Sequence, residues 1–255
     1  MTIQKTLLCF PPAGSGSGLF RPWQHAGRER TAVVPASLPG RESRFKDPLP
    51  KSIAALADEL AEELAPHACE PYAILGYSMG ALLGYEVALR WQRWDLPSPE
   101  FLFVLGCNAP DRMVLDRDPF HTMNNDDFLQ ALRDLGGMPQ EIIDNPDAMD
   151  VFEPVLRNDF RICETYRHSI ESGQLACPAH IFVGESDEFI RWDAAAAWTE
   201  FLTGPITMHR LPGPHMIEQA EFSALQGTIE TLWRESKRRQ NAPFDQDVSG
   251  DSVET

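Results

Sequence analysis

The segment Tyr72-Ala73-Ile74-Leu75-Gly76-Tyr77-Ser78-Met79-Gly80 joins a short apolar run to a G-x-S-x-G pattern. Residues Tyr72 to Leu75 are typical of a buried strand, and residues Met79 to Trp91 have the apolar periodicity of a helix. The two glycines of the pattern allow the backbone to turn sharply between these elements. Such a turn holds the Ser78 hydroxyl at the carboxyl edge of a sheet, beside the positive end of the helix. The segment therefore predicts a nucleophilic serine.

Short apolar runs alternate with helix-length segments over most of the 255 residues. Helical spacing predicts further helices over Ser52 to Ala65, with Ser52 as the N-cap, and over Ile217 to Trp233. Strands separated by helices form βαβ units, so we expect a mostly parallel sheet flanked by helices, in one α/β domain over residues 1–239. The predicted strands are Thr6 to Phe10, Thr31 to Val34, Tyr72 to Leu75, Phe101 to Leu105, Ala179 to Val183 and Ile206 to Leu211.

The segment from Asp111 to about Leu175 interrupts this alternation. It contains no convincing strand, but apolar residues recur at helical spacing over Phe128 to Leu135 and Val151 to Ile170. We interpret this segment as a helical lid inserted into the sheet domain. Residues 240–255 are polar, acidic and poor in large apolar side chains, which predicts a disordered tail.

The composition argues against several classes of function. The chain has 22 Lys and Arg against 38 Asp and Glu, a net charge of −16, so its summed field repels phosphate backbones and anionic lipid. We therefore expect neither a nucleic-acid nor a membrane partner. The five cysteines form no C-x-x-C pair and the first residues lack the pattern of a secretory signal, which favours a soluble cytoplasmic protein. Gly14, Gly16 and Gly18 match neither a dinucleotide fingerprint nor a P-loop, which argues against nucleotide binding.

A serine hydroxyl needs a neighbouring base, and the base needs an orienting carboxylate. The chain order expected in this fold is Ser, acid and then His. His215 lies in a loop between the last predicted strand and the last long helix, where the carboxyl edge of the sheet is expected. We therefore predict His215 as the base. His180 and His209 lie within predicted strands, and we interpret them as packing or edge residues.

The candidate acids follow two different strands. Asp187 stands just past the predicted strand that ends at Val183, and it is the favoured acid. Glu185 and Glu188 are alternatives in the same loop. Asp111 is a further alternative, because serine hydrolases of this fold can supply the acid from the preceding strand.

Negative charge that develops on an attacked carbonyl oxygen needs hydrogen-bond donors, and backbone amides suffice. One predicted donor is the N–H of Met79, directly after the serine. The second is expected from the loop after the first strand. Pro11 and Pro12 have no N–H, so Ala13 is the nearest donor and Gly14 is the alternative.

With these residues placed, the chain resembles the type II thioesterases, the discrete α/β-hydrolases that accompany polyketide synthases and nonribosomal peptide synthetases. The resemblance runs from about Leu7 to Trp233. Its motifs are Cys9-Phe10-Pro11-Pro12-Ala13-Gly14, Phe20-Arg21-Pro22-Trp23, Leu38-Pro39-Gly40-Arg41-Glu42-Ser43-Arg44-Phe45, Gly76-Tyr77-Ser78-Met79-Gly80-Ala81, Leu135-Gly136-Gly137-Met138-Pro139, Leu156-Arg157-Asn158-Asp159-Phe160, Glu164-Thr165-Tyr166, Gly184 to Asp187 and Gly213 to His215.

The resemblance implies hydrolysis of acyl or aminoacyl thioesters on the phosphopantetheine arm of acyl or peptidyl carrier proteins, which clears misprimed or stalled intermediates. It implies Ser78 as nucleophile, Asp187 as acid and His215 as base, and it weighs against Asp111 as the acid. The implied reaction needs no metal or organic cofactor. Two departures affect the loops: Pro12 and Ser15 stand where the family usually has His and Gly, and Gly-Pro-His replaces the common Gly-Gly-His.

Six apolar residues of the lid segment are candidates for lining an acyl-binding site, with core packing between the helices as the alternative for each. They are Met113, Phe120, Met123, Phe128, Met138 and Phe160. A net charge of −16 requires a local cationic face if the partner is an acidic carrier protein. Arg41, Arg44 and Lys46 are the candidates for that face, and a structural role for Arg41 in its own loop is the alternative.

Three other functions stay open at the level of sequence. The first is an esterase that acts on simple oxygen esters without a carrier partner. The second is a transferase or cyclase that passes the acyl group to an amine or alcohol. The third is an inactive module that docks on a synthase, although the presence of Ser78, Asp187 and His215 argues against it.

Overall fold

The strands of the computed structural model, which describes residues 5–26, 31–69, 71–113, 118–169 and 173–240, form one sheet. In chain order they are β1 (Lys5–Phe10), β2 (Thr31–Pro35), β3 (Tyr72–Tyr77), β4 (Leu102–Leu105), β5 (Ala179–Gly184) and β6 (Ile206–Leu211). Their order across the sheet is β2-β1-β3-β4-β5-β6, and every neighbouring pair is parallel. All carboxyl ends therefore share one edge. The chain reverses its direction of winding between β1 and β3, and such a switch point leaves a crevice for a ligand.

Helices cover both faces of this sheet. In chain order, the α-helices of the described residues are α1 (Arg21–Ala26), α2 (Ile53–Leu64), α3 (Met79–Arg93), α4 (Asn125–Leu135), α5 (Gln140–Ile143), α6 (Pro146–Glu164), α7 (Trp192–Ala196) and α8 (Gln219–Gln240), of which α4, α5 and α6 belong to the segment between β4 and β5. Successive side chains of a strand point to opposite faces. Leu8 and Phe10 accordingly pack in the cluster that includes α2 and α3, whereas Leu7 and Cys9 pack in the cluster that includes α8. The predicted α/β architecture is confirmed.

The predicted helix after residue 52 shows how local sequence fixes an element. The Ser52 hydroxyl accepts a hydrogen bond from the Ala55 N–H at 3.1 Å, which satisfies one of the donors left free at the start of α2. Such an N-cap contributes about 1 kcal/mol. Leu56, Leu60 and Leu64 then lie on one buried face of the helix. At the other end of the chain, α8 begins two residues later than predicted and continues to Gln240.

The segment between β4 and β5 carries α4, α5 and α6. These helices pack around an apolar cluster of their own, which includes Phe120, Phe128, Leu132 and Phe160. No strand occurs among the described residues from 111 to 169. The two predicted helices are present as α4 and α6, whereas α5 was not predicted. Helix α6 begins at Pro146, with Asn145 as its N-cap, and ends at Glu164. Whether these helices act as a lid stays a prediction. The predicted tail begins at Gln240, which the structure places at the end of α8, and residues 241–255 lie outside the described part.

None of the helices in the described ranges combines the length and apolar character that a bilayer crossing requires.

Candidate active site

Ser78 lies on a sharp turn between β3 and α3. Its backbone has φ +50° and ψ −116°, a conformation that costs a non-glycine residue about 1–3 kcal/mol and is found at functional sites. The Ser78 N–H donates to the Leu105 carbonyl at 2.8 Å, which fixes the turn against β4. A Cβ added to Gly80 would lie 2.0 Å from the Phe10 carbonyl oxygen, so the second glycine lets α3 approach β1. The turn holds Ser78 at the carboxyl edge of the sheet.

His215 lies between Ser78 and Asp187. Its Nε2 is 3.2 Å from the Ser78 Oγ, and its Nδ1 is 2.9 Å from the Asp187 Oδ2. The side chains of His215 and Asp187 are 7% and 1% exposed, so the contact between them is shielded from water. The structure therefore brings together the three residues that the sequence singled out, although they come from three different loops.

Two hydrogen bonds orient the carboxylate of Asp187. Its Oδ1 accepts from the N–H groups of Phe189 and Ile190 at 2.9 and 3.0 Å, which leaves Oδ2 for His215. The alternative acids lie elsewhere: Glu185 and Glu188 are exposed, and Asp111 pairs with Arg112. Among the described carboxylates, Asp187 is the one that contacts His215.

Tyr77 supports the loop of His215, a role that sequence reasoning missed. Its hydroxyl donates to the His215 carbonyl at 2.7 Å and accepts from the Ile217 N–H at 2.8 Å. The residue occupies the first variable position of the G-x-S-x-G pattern. Its place next to Ser78 was the only available signal, since nothing in the sequence indicates which loop the hydroxyl meets.

His180 and His209 contact each other rather than the serine. The His180 Nδ1 is 2.8 Å from the His209 Nε2, and the His180 ring stacks on Phe103. Burial and the neighbouring His209 lower the pKa of His180 to about 4. Both histidines are therefore packing residues of β5 and β6, as predicted.

The loop after β1 brings Ala13 to the wall of the cavity that also contains Ser78 and Met79. Met79 begins α3, where the first N–H groups have no partner within the helix. The Gly14 N–H, the alternative donor, is engaged: it donates to the Asp159 Oδ2 at 2.8 Å. Within the described residues, the Ala13 N–H has no hydrogen-bond acceptor. The geometry thus favours Ala13 over Gly14 as the donor.

The cavity beside Ser78 lies between the sheet edge and the inserted helices, and its wall is mostly apolar. Three of the six predicted lining residues contribute to it, namely Met113, Phe120 and Phe160. Met138 lines an adjoining cavity that shares Ala13, Leu135, Phe160 and Met216 with the first. Residues of the first cavity that sequence reasoning missed are Pro12, Asn108, Leu135, Cys163, Glu164, Phe189, Ile190 and Met216.

The other two predicted lining residues, Met123 and Phe128, line neither of these cavities. Phe128 is fully buried in the apolar cluster of the inserted helices, where its ring meets Phe160 edge to face. The Arg157 guanidinium covers the same ring at 4.1 Å. Met123 packs against this cluster. Both residues therefore hold the helices together.

The predicted cationic face is largely neutralised. Arg41 is buried and forms a two-pronged ion pair with Asp159, with N–O distances of 2.7 and 2.9 Å, so its structural alternative is correct. Arg44 pairs with Asp47 and Glu59. Lys46 is exposed.

Comparison with known proteins identifies the family of this chain. The profile of the thioesterase domain family matches residues 5–233. A relative from Brevibacillus parabrevis, named linear gramicidin dehydrogenase LgrE, is 33% identical over 88% of this chain and 86% of its own. The solved thioesterase RedJ from the prodiginine pathway of Streptomyces coelicolor is 35% identical, with a TM-score of 0.81 over 89% of each chain. The solved type II thioesterase BorB from the borrelidin cluster is 29% identical, with a TM-score of 0.81 over 91% of this chain and 93% of its own.

The family match spans the whole sheet, the inserted helices and most of α8, and the structural neighbours cover about nine-tenths of the chain. Of these neighbours, RedJ is a thioesterase and BorB is a type II thioesterase. The chain belongs to the thioesterase domain family.

Proposed function

We propose that this protein hydrolyses acyl or aminoacyl thioesters on the phosphopantetheine arm of carrier proteins, and so clears misprimed or stalled intermediates. The observation that carries the proposal is the hydrogen-bonded series from Ser78 through His215 to Asp187 at the wall of an apolar cavity. The family membership and the pathways of RedJ and BorB support the thioester substrate and the carrier partner.

Acylation begins when the Ser78 oxygen attacks the thioester carbonyl. His215 Nε2 takes the hydroxyl proton, and Asp187 stabilises the imidazolium and holds Nδ1–H towards itself. The oxyanion accepts hydrogen bonds from the N–H groups of Met79 and Ala13, and each such donor lowers the barrier by about 2.7–4 kcal/mol. The C–S bond then breaks, and His215 returns its proton to the leaving pantetheine sulfur. The products are an acyl-serine and a free thiol.

Deacylation repeats these steps with water. His215 takes a proton from the water molecule as its oxygen attacks the acyl-serine, and the same two amides hold the second oxyanion. Collapse of this intermediate releases a carboxylic acid, and His215 returns the proton to the Ser78 oxygen. The inserted helices cover the cavity and limit the access of other nucleophiles.

The name of the Brevibacillus relative refers to a dehydrogenase, and many dehydrogenases use a nicotinamide dinucleotide as hydride carrier. In this chain the amides of the loop after β1 already bind carboxylates. The Gly14 N–H donates to Asp159, and the Ser17 and Gly18 N–H groups donate to Glu42. A pyrophosphate needs such amides and is repelled by carboxylates. The loop therefore argues against hydride transfer as the function of this site.

The test is mass spectrometry of several acylated carrier proteins after incubation with the wild-type protein or with Ser78→Ala. We expect loss of the acyl mass with the wild-type protein alone. Equal loss with both would remove Ser78 from the mechanism. Parallel reactions with simple oxygen esters, and with amine and alcohol acceptors, distinguish the esterase and transferase alternatives. Absence of a covalent Ser78 adduct after treatment with a fluorophosphonate would favour an inactive docking module.

A further inference from the structure

Asp159 lies on α6 among the inserted helices, yet it binds the loop that follows β1. The residue is 0% exposed. Its Oδ2 accepts from the Gly14 N–H at 2.8 Å and from the Arg41 Nη1 at 2.7 Å, and its Oδ1 accepts from the Arg41 Nη2 at 2.9 Å. Arg41 also donates to the Ser15 carbonyl at 2.9 Å. A buried ion pair therefore holds the loop on both sides of Gly14.

The other contacts of this loop restrict Ala13 further. The Ser15 N–H donates to the Pro12 carbonyl at 3.1 Å, so Ala13 and Gly14 are the central residues of a tight turn. Gly14 has φ +74°, and a Cβ on it would lie 2.3 Å from a methyl group of Leu156, which precedes Asp159 by one turn of α6. The loop thus packs directly against α6. The N–H groups of Ala13 and Gly14 belong to successive peptide groups, so a contact that fixes the Gly14 N–H also restricts the orientation of the Ala13 N–H.

We propose that Asp159 and Arg41 are positioning residues that fix the Ala13 N–H for the developing oxyanion. This inference rests on the proposed function, because it concerns the same reaction. Asp159 engages the Gly14 N–H and so fixes the orientation of the turn, which leaves the Ala13 N–H free at the cavity wall. Arg41 holds the opposite side of the turn through Ser15 and neutralises the buried carboxylate. The inserted helices therefore contribute to the reaction centre through α6, besides covering it.

A buried ion pair by itself says little about catalysis, because removing one partner destabilises any fold. The chain offers a matched control. Glu86 and Arg90 on α3 form another buried pair at 2.6 Å, with both side chains 8% exposed, and neither hydrogen-bonds to the loop after β1. A purely structural role predicts that both pairs affect the melting temperature alone. A positioning role predicts that the Asp159 pair alone also affects transition-state binding.

The experiment compares wild-type protein with Asp159→Asn, Asp159→Leu, Arg41→Lys and the control Glu86→Gln. For each we would measure the melting temperature, kcat and KM for a soluble acyl thioester, and the Ki of a trifluoromethyl ketone analogue. The ketone forms a tetrahedral adduct with Ser78, and the oxygen of that adduct occupies the oxyanion site, so its Ki reports the donors directly.

For Asp159→Leu we expect kcat to fall about 100-fold, as for loss of one oxyanion donor, with KM unchanged and Ki raised by a similar factor. Asp159→Asn keeps an oxygen for the Gly14 N–H, so its losses should be smaller. Glu86→Gln should lower the melting temperature and leave kcat and Ki unchanged. Arg41→Lys keeps the charge but disturbs the two-pronged pair, and it supplies the comparison if Asp159→Leu does not fold.

The proposal is overturned if the folded Asp159 and Arg41 variants lose thermal stability but keep the wild-type kcat and Ki. It is also overturned if kcat falls while Ki for the ketone stays constant. Failure of the proposed function has a different signature, because Ser78→Ala would then hydrolyse the thioester as fast as the wild-type protein.

Discussion

Replacing Asp187 with Asn tests the arrangement around His215 most directly. The Asp187 Oδ1 accepts from the backbone N–H groups of Phe189 and Ile190, so in Asp187→Asn the side-chain amide oxygen takes the Oδ1 place. The amide NH₂ then faces the His215 Nδ1, which is 2.9 Å from the present Oδ2. Nδ1 must become the acceptor, and the proton moves to Nε2. His215 can then no longer accept the proton of Ser78.

An Asp-to-Asn change at the corresponding member of a serine triad lowers kcat about 10⁴-fold. That factor corresponds to about 5.4 kcal/mol in the activation barrier. We expect a loss of this order in Asp187→Asn, with KM and the melting temperature close to those of the wild-type protein, because the volume and the two backbone hydrogen bonds are kept. The assay is release of the thiol from a soluble acyl thioester, followed with a thiol-reactive chromophore.

The matched control is Asp111→Asn, which alters the alternative acid in an exposed ion pair with Arg112. It should keep the wild-type rate. A loss of less than about tenfold in Asp187→Asn would refute the reasoning, because a wrong tautomer removes the general base. A large loss in Asp111→Asn instead would transfer the acid role to that residue.

Three further predictions concern stability and reactivity. Burial lowers the pKa of His180 to about 4, so the folded state binds fewer protons than the unfolded state between about pH 6.5 and 4. The free energy of unfolding should therefore fall as the pH is lowered through this window, by at most about 1.4 kcal/mol per pH unit for this group. In urea titrations, His180→Phe should flatten this dependence of the unfolding free energy on pH, and an unchanged dependence would contradict the assignment. Cys69 is exposed whereas burial raises the pKa of the Cys9 thiol, so native protein should react with iodoacetamide at Cys69 first, and labelling of Cys9 before unfolding would contradict the described burial. Gly80→Ala places a Cβ against the Phe10 carbonyl oxygen, so the variant should unfold at a markedly lower temperature or fail to fold, and a wild-type melting curve would exclude the close approach.

The sheet was predictable because its central strands are buried on both faces and read as continuous apolar runs. The start of α6 was predicted at Val151, five residues too late, although Asn145 and Pro146 form a recognisable N-cap and first position. That error came from following apolar spacing alone, since the first turn of α6 carries few buried side chains.

The residues of the reaction centre were predictable because each follows a strand, and parallel strands bring their carboxyl ends to one edge. The residues that line the cavity could not be predicted in the same way. Met123, Phe128 and Phe160 are all apolar, and the packing of their segments decides which of them face the cavity. The contact between Arg41 and Asp159 joins residues 118 positions apart, a pairing that neither periodicity nor a local motif expresses.

The anchoring of α6 has a consequence for how a substrate enters and a product leaves. A displacement of α6 would separate Asp159 from three donors and leave the Arg41 guanidinium buried without its counterion, at a cost of several kcal/mol. Arg157 fixes the start of α4 to α6 by donating to the Met123 carbonyl at 2.8 Å, and Leu132 near the other end of α4 packs with Leu156 in the apolar cluster of the inserted helices. We therefore expect α6 to stay in place while a substrate enters and a product leaves, so the loop after β1 keeps its position between turnovers.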